Sequence, residues 1–95
     1  MSGVFGGLPD AVIQFQATIG TTAAALQSSA PADSLTILAD ASNSAVIFLG
    51  NSSSVTTGNG FPLAAGASQT LKISNSNLVY AISSSSSQKL HVIGS

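Results

Sequence analysis

The chain has no cysteine and no tryptophan, and its 95 residues include only two lysines and three aspartates as formal charges. Each absence excludes a class of function. Without cysteine there is no disulfide framework, no thiol nucleophile and no thiolate metal site. With a net charge of −1 there is no basic stripe to neutralise phosphates and no acidic run for a cationic partner, which excludes recognition of nucleic acid through its backbone. The single histidine, His91, cannot build a histidine-rich metal site. Asp10, Asp33 and Asp40 are too widely spaced for a calcium loop. The longest purely apolar run is residues 45–49, against the roughly 20 residues that span a bilayer. The first seven residues contain no basic side chain and no apolar core, so they do not read as a signal peptide. These readings predict a chain made in a cytoplasm, with no membrane span, no cofactor and no small-molecule substrate.

What the chain does have is small neutral polarity. Eighteen serines and seven threonines place a hydroxyl on 25 of 95 residues, and Asn and Gln contribute five each. Hydroxyls and amides, rather than charges, must keep the surface wet. The length suits one domain with one core. A core that small leaves little stability margin, and contacts between subunits would add to it.

Turn-forming Gly, Pro, Asn and Ser recur every eight to twelve residues between short segments rich in Val, Ile, Leu and Thr, the rhythm of an all-β sandwich. Residues 1–9, with three glycines and Pro9 among Val4, Phe5 and Leu8, read as a flexible N-terminal arm, and residues 10–95 as the sandwich. In residues 11–19 the alternation of Ala11, Ile13, Phe15, Ala17 and Ile19 with Val12, Gln14, Gln16 and Thr18 predicts a strand. A helical stripe through Leu8, Val12, Phe15, Ile19, Ala23 and Leu26 fits the same segment. Gly20, Thr21 and Thr22 favour the strand. Further strands are expected at residues 35–39, 45–49, 68–73, 78–83 and 89–93. Residues 40–43 form a turn in which Asp40 opens the chain reversal and Asn43 tolerates a left-handed conformation.

Residues 45–49 are apolar on both faces, which implies a second layer or a subunit interface over each side. Pro62 has no N–H to give a ladder, so Phe61 and Leu63 are expected to plug one end of the sandwich from a non-strand segment. The five serines at 83–87 read as a solvated connection that buries nothing. The sum is a small antiparallel sandwich, jelly-roll-like, of seven or eight strands.

The candidates for chemistry are few. Alternation places His91 with Ile93 on the face opposite Leu90 and Val92, an outward or interface position. There is no nucleophile elbow to pair with it. Gly58-Asn59-Gly60 opens like a dinucleotide loop but has neither the third glycine nor a following helix. Lys72 and Lys89 read as isolated charges that discourage edge pairing. Tyr80 reads as a core residue. No catalytic, metal or cofactor set emerges, and the chain is expected not to be an enzyme.

Five stretches carry a resemblance. Ile37-Leu38-Ala39-Asp40-Ala41-Ser42-Asn43 leads into Val46-Ile47-Phe48-Leu49-Gly50. Gly60-Phe61-Pro62-Leu63-Ala64-Ala65-Gly66 follows. Leu78-Val79-Tyr80-Ala81-Ile82 and Leu90-His91-Val92-Ile93-Gly94 close the chain. This pattern resembles a small β-sandwich module of tailed-bacteriophage structural proteins, found in capsid cement (decoration) proteins and in fibre-associated proteins. The similarity covers roughly residues 18–95; residues 1–17 lie outside it, and the stretch at 51–54 departs from the module's glycine-rich turn. The resemblance implies a cement protein on the capsid exterior, a homotrimer contacting the major capsid protein. A fibre or spike module that touches host glycans is the alternative it leaves open. On either reading the arm, through Val4, Phe5 and Leu8, is the expected partner-binding element.

Overall fold

The computed structural model describes residues 12–27 and 32–95. Eight strands run in chain order: β1 (Ile13–Ile19), β2 (Ala24–Ala25), β3 (Leu35–Ala39), β4 (Ile47–Gly50), β5 (Phe61–Leu63), β6 (Ser68–Leu71), β7 (Tyr80–Ser83) and β8 (Gln88–Gly94). One 3-10 turn, Ser76–Leu78, joins β6 to β7. The segment at 13–19 is a strand, as its alternation and its Gly-Thr-Thr ending predict.

The strands form two four-stranded sheets, β1-β8-β3-β6 and β2-β7-β4-β5, and every pairing is antiparallel. The outer pairings match β1 with β8, β2 with β7, β3 with β6 and β4 with β5. That is one long hairpin, folded at the β4–β5 turn, whose successive strand pairs fall alternately in one sheet and the other. Pairing of β8 with β3 and of β7 with β4 rolls this ribbon into a jelly roll.

Strand alternation delivers the core. Ala17 and Ile19 of β1, Leu35, Ile37 and Ala39 of β3, and Leu90 and Val92 of β8 point inward from the first sheet. Ile47 and Leu49 of β4, Leu63 of β5 and Ala81 of β7 meet them from the second. The residues between face out. On the first sheet the outward rows are Gln14–Ile93–Thr36–Thr70 and Gln16–His91–Leu38–Ser68. Thr36 and Thr70 share a hydroxyl–hydroxyl hydrogen bond of 3.0 Å within the first of them.

Several expectations are corrected. Residues 61–63 are a strand, because β5 lies at the edge of its sheet, where a proline can sit in a strand. Leu63 enters the core while Phe61 stays exposed. Tyr80 is half-buried on the outer face, since β7 turns Ala81 and Ser83 inward. Ser83, far from being solvated, is buried and donates its hydroxyl to the Val46 carbonyl at 3.0 Å. Lys89 lies in β8, between β1 and β3, not at an edge. Phe48, on the outward side of the both-faces-apolar segment, is half-buried.

The irregular residues 51–60 are packed by a side chain of their own. Val55 is buried yet stands apart from the core, lying against Gly50 and Gly60. A Cβ on Gly50 would collide with Val55, and one on Gly60 would approach the Cβ of Phe48 to 2.6 Å. Both glycines are there for close approach, and the loop lies down on the end of the β4–β5 hairpin.

Candidate functional site

The turn after β3 fixes the one ionisable pair among the described residues. Asp40 accepts the backbone N–H of Ser42 at 2.9 Å on Oδ2, and the Ser42 hydroxyl donates to the same oxygen. Its other carboxylate oxygen, Oδ1, lies 2.7 Å from Nε2 of His91 on the outer face of β8. The Ser42 hydroxyl foremost, then His91 and the Ser42 N–H, hold the Asp40 carboxyl well below the usual carboxylate range. The pair is partly open to water. The hydroxyl is seated on the carboxylate rather than on the imidazole, so the order hydroxyl, imidazole, carboxylate that activates a serine is not made here.

Asn43 completes the turn in a role its sequence context does not reveal. Its amide nitrogen donates to the Lys89 carbonyl at 2.9 Å, and its amide oxygen accepts the Lys89 N–H at 2.8 Å. The side chain thus mimics a strand residue and extends the ladder beside β8 beyond the end of β3. The left-handed conformation expected at Asn43 is found instead at Ser87, with φ 62°. Gln88, buried at the start of β8, ties the same corner: its Oε1 accepts the Ala45 N–H at 2.9 Å and its Nε2 donates to the Ser86 carbonyl at 2.9 Å.

The exposed apolar side chains gather around two concavities. One is a shallow hollow of about 420 Å³ on the outer face of the first sheet, lined by Gln14, Thr36, Leu38, Ser68, His91 and Ile93. Leu38 and Ile93 are both exposed there. The other is a cleft of about 390 Å³ between the sheets at their β6 and β5 edges. Leu49, Leu71, Ile73 and Val79 form its apolar walls, and Phe61 and Leu78 flank it, 54% and 49% exposed. No charged side chain lines it. Four of the five exposed large hydrophobics therefore line these two places; the fifth is Val12.

Of the residues the sequence nominated, His91 and Asp40 are brought together. Asp33 is exposed and away from them, and no group of three His, Cys, Asp or Glu side chains converges among the described residues. Val4, Phe5 and Leu8, with the arm as a whole and Asp10, lie outside the described residues. The cleft has no sequence signature, because β4, β5, β6 and the 76–79 segment each supply one or two of its residues. Among the described residues no helix is long and apolar enough to cross a membrane. Comparison with known proteins found no matching family model, no matching curated protein and no matching solved structure.

Proposed function

We propose that the chain is a structural protein of a tailed-bacteriophage virion, a cement protein that assembles with copies of itself on the capsid exterior. There it stabilises the shell by contact with the major capsid protein. The observation that carries this reading is the surface. In a chain with five formal charges, Leu38, Phe61, Leu78 and Ile93 stand exposed beside two concavities on a rigid two-sheet body. Such a body binds by shape, apolar contact and hydroxyl or amide hydrogen bonds rather than by steering charges. The jelly roll supports the reading as a fold that viral shells reuse, and the Ala-Asp-x-x-Asn and Gly-Phe-Pro-Leu stretches support it by resemblance. A trimer is the expected assembly, on the same resemblance.

The test is immuno-gold labelling of purified phage particles with an antibody against the chain. Gold spread over the head supports the cement role. Gold confined to the tail tip moves the chain to the fibre module that the resemblance also allows. Particles that lack the chain altogether overturn the virion reading.

A further inference from the structure

Four strands lie at sheet margins, and three of them are blunted. β2 has two residues, β5 has three with Pro62 among them, and β6 has four and runs straight into the exposed Lys72. Short length, proline and lysine are the usual guards against pairing with a stray strand. β1 has none of them. It is seven residues long, Ile13–Ile19, without charge, proline or glycine, and it pairs one for one with β8 with no bulge.

The ladder shows what this margin offers. Ser34 and Ser95 exchange both backbone hydrogen bonds, at 3.2 Å each, and the Asp40 N–H donates to the Lys89 carbonyl at 3.0 Å. By alternation along β8, its odd-numbered residues turn their backbone groups to β3, while Leu90, Val92 and Gly94 turn theirs to β1. Those three lie opposite Ala17, Phe15 and Ile13. The N–H and C=O groups of Gln14, Gln16 and Thr18, which alternate with them, are left pointing off the margin, where no further strand lies among the described residues.

The strand that this margin fits is its own copy. Antiparallel pairing about a two-fold axis at Gln16 sets Gln16 beside Gln16, and Gln14 beside Thr18 of the other copy, so amides and hydroxyls meet on the exposed face. On the core face it sets the half-buried Phe15 beside the small Ala17, and Ile13 beside Ile19. The backbone groups of Gln14, Gln16 and Thr18 then form three hydrogen-bonded pairs. An axis perpendicular to the sheet keeps both core faces on one side, so the two sheets join as one of eight strands. Self-pairing also brings every charge on a strand close to its duplicate. A charge-free strand is therefore what a second copy requires, whereas a different partner sets no such condition.

We propose that β1 pairs in this register with β1 of a second copy of the chain. The contact is isologous, the same residues serving on both sides. It goes beyond the virion reading and does not depend on it; with the trimer expected above, it joins subunits of two trimers. The mass in solution is then an even multiple of one chain.

The test is light scattering and amide hydrogen exchange on the full-length chain. The expected mass is an even multiple of one chain, and exchange at Gln14, Gln16 and Thr18 should slow by about tenfold or more from dilute to concentrated solution. Gln16→Lys sets two cations side by side across the axis, and should halve the mass and abolish the slowing while the β-type circular dichroism persists. Gln16→Pro removes an N–H that β8 does not use and should do the same. Ser68→Lys, exposed on the opposite margin, should change neither. Three results overturn the proposal: a mass that is an odd multiple, assembly that survives both substitutions at position 16, or protection of the three amides that is independent of concentration. The last would place another segment of the same chain on the edge. Two-fold pairing by a chain that labels no phage particle would sustain this inference while the virion reading fails.

Discussion

The carboxylate of Asp40 and the imidazole of His91 stand 51 positions apart in the chain and 2.7 Å apart in the fold. Asp40 leaves the end of β3 and His91 sits on β8, so the pair closes across the junction of the two central strands of one sheet. Together with the Asn43 clamp on Lys89, it pins the turn at 40–43 to the strand beside it.

Acid should loosen this corner. A carboxyl held more acidic in the fold than in the unfolded chain stabilises the fold wherever it is ionised in both states. That contribution is present above the unfolded value of 3.8 and fades as pH falls below it toward the lower folded value. The melting temperature is expected to decline below about pH 4. Asp40→Asn should be less stable than the parent at neutral pH and should flatten that acid decline. A melting series from pH 2 to 7 on both chains checks it; parallel curves would refute the assignment.

Asn43→Ala removes two hydrogen bonds to the Lys89 backbone at once and is expected to cost about 1 to 3 kcal/mol. Asn43→Asp keeps the acceptor for the Lys89 N–H and loses the donor, so it should fall between the parent and the alanine variant. Urea unfolding with an unchanged slope is the measurement. Equal costs for the two variants would show that only the donor matters.

Much of the fold is legible in the sequence, and the exceptions have physical reasons. The alternation in β1 reads directly because apolar inward residues alternate with polar outward ones, and in β3 and β8 it still reads although Leu38 and Ile93 face outward. Residues 78–83 are apolar almost throughout, so hydropathy cannot say which face turns in. The register decides it: Ala81 lies beside Leu49 and Ser83 beside Ile47, small residues filling the gaps next to large ones. Tyr80 is thereby sent outward. The proline of β5 hid a strand because its missing N–H matters only where a neighbour needs it, and the two residues of β2 are too few to show a period. His91 and Asp40 were visible as residues, but their meeting depends on the β3–β8 register, which no local pattern encodes.

Ser76 makes a prediction in the stabilising direction. Its hydroxyl is fully buried and has no hydrogen-bond partner among the described residues. A buried donor left unpaired costs free energy that its removal recovers, so Ser76→Ala is expected to hold or raise stability, by up to about 1 kcal/mol. Ser83→Ala is the contrast, since that buried hydroxyl is bonded to Val46 and its loss should cost about 1 kcal/mol, leaving a carbonyl unmet. Thermal or urea unfolding of the two variants should move in opposite directions, and a loss at both positions would mean that Ser76 has a partner after all.

The last prediction concerns how the 51–60 loop is held down. Gly50→Ala sets a Cβ against both the Cβ and a methyl of Val55, and forcing an extra carbon into such a contact is expected to cost about 1 to 3 kcal/mol. Trimming the neighbour should relieve it only if the right atom goes. Val55→Ala leaves the Cβ that collides, so the Gly50→Ala cost should persist in that background. Val55→Gly removes it, so Gly50→Ala should become nearly silent there, giving a coupling of at least about 1 kcal/mol in the double-mutant cycle. Val55 alone should behave as a loop anchor rather than a core residue. Val55→Gly is expected to speed hydrogen exchange across residues 51–60 while exchange in β3 and β8 stays near the parent rate, because Val55 packs outside the inter-sheet core. Equal cost of Gly50→Ala in the alanine and glycine backgrounds would mean that the chain at 55 moves away freely, and that the two glycines are not what seats the loop.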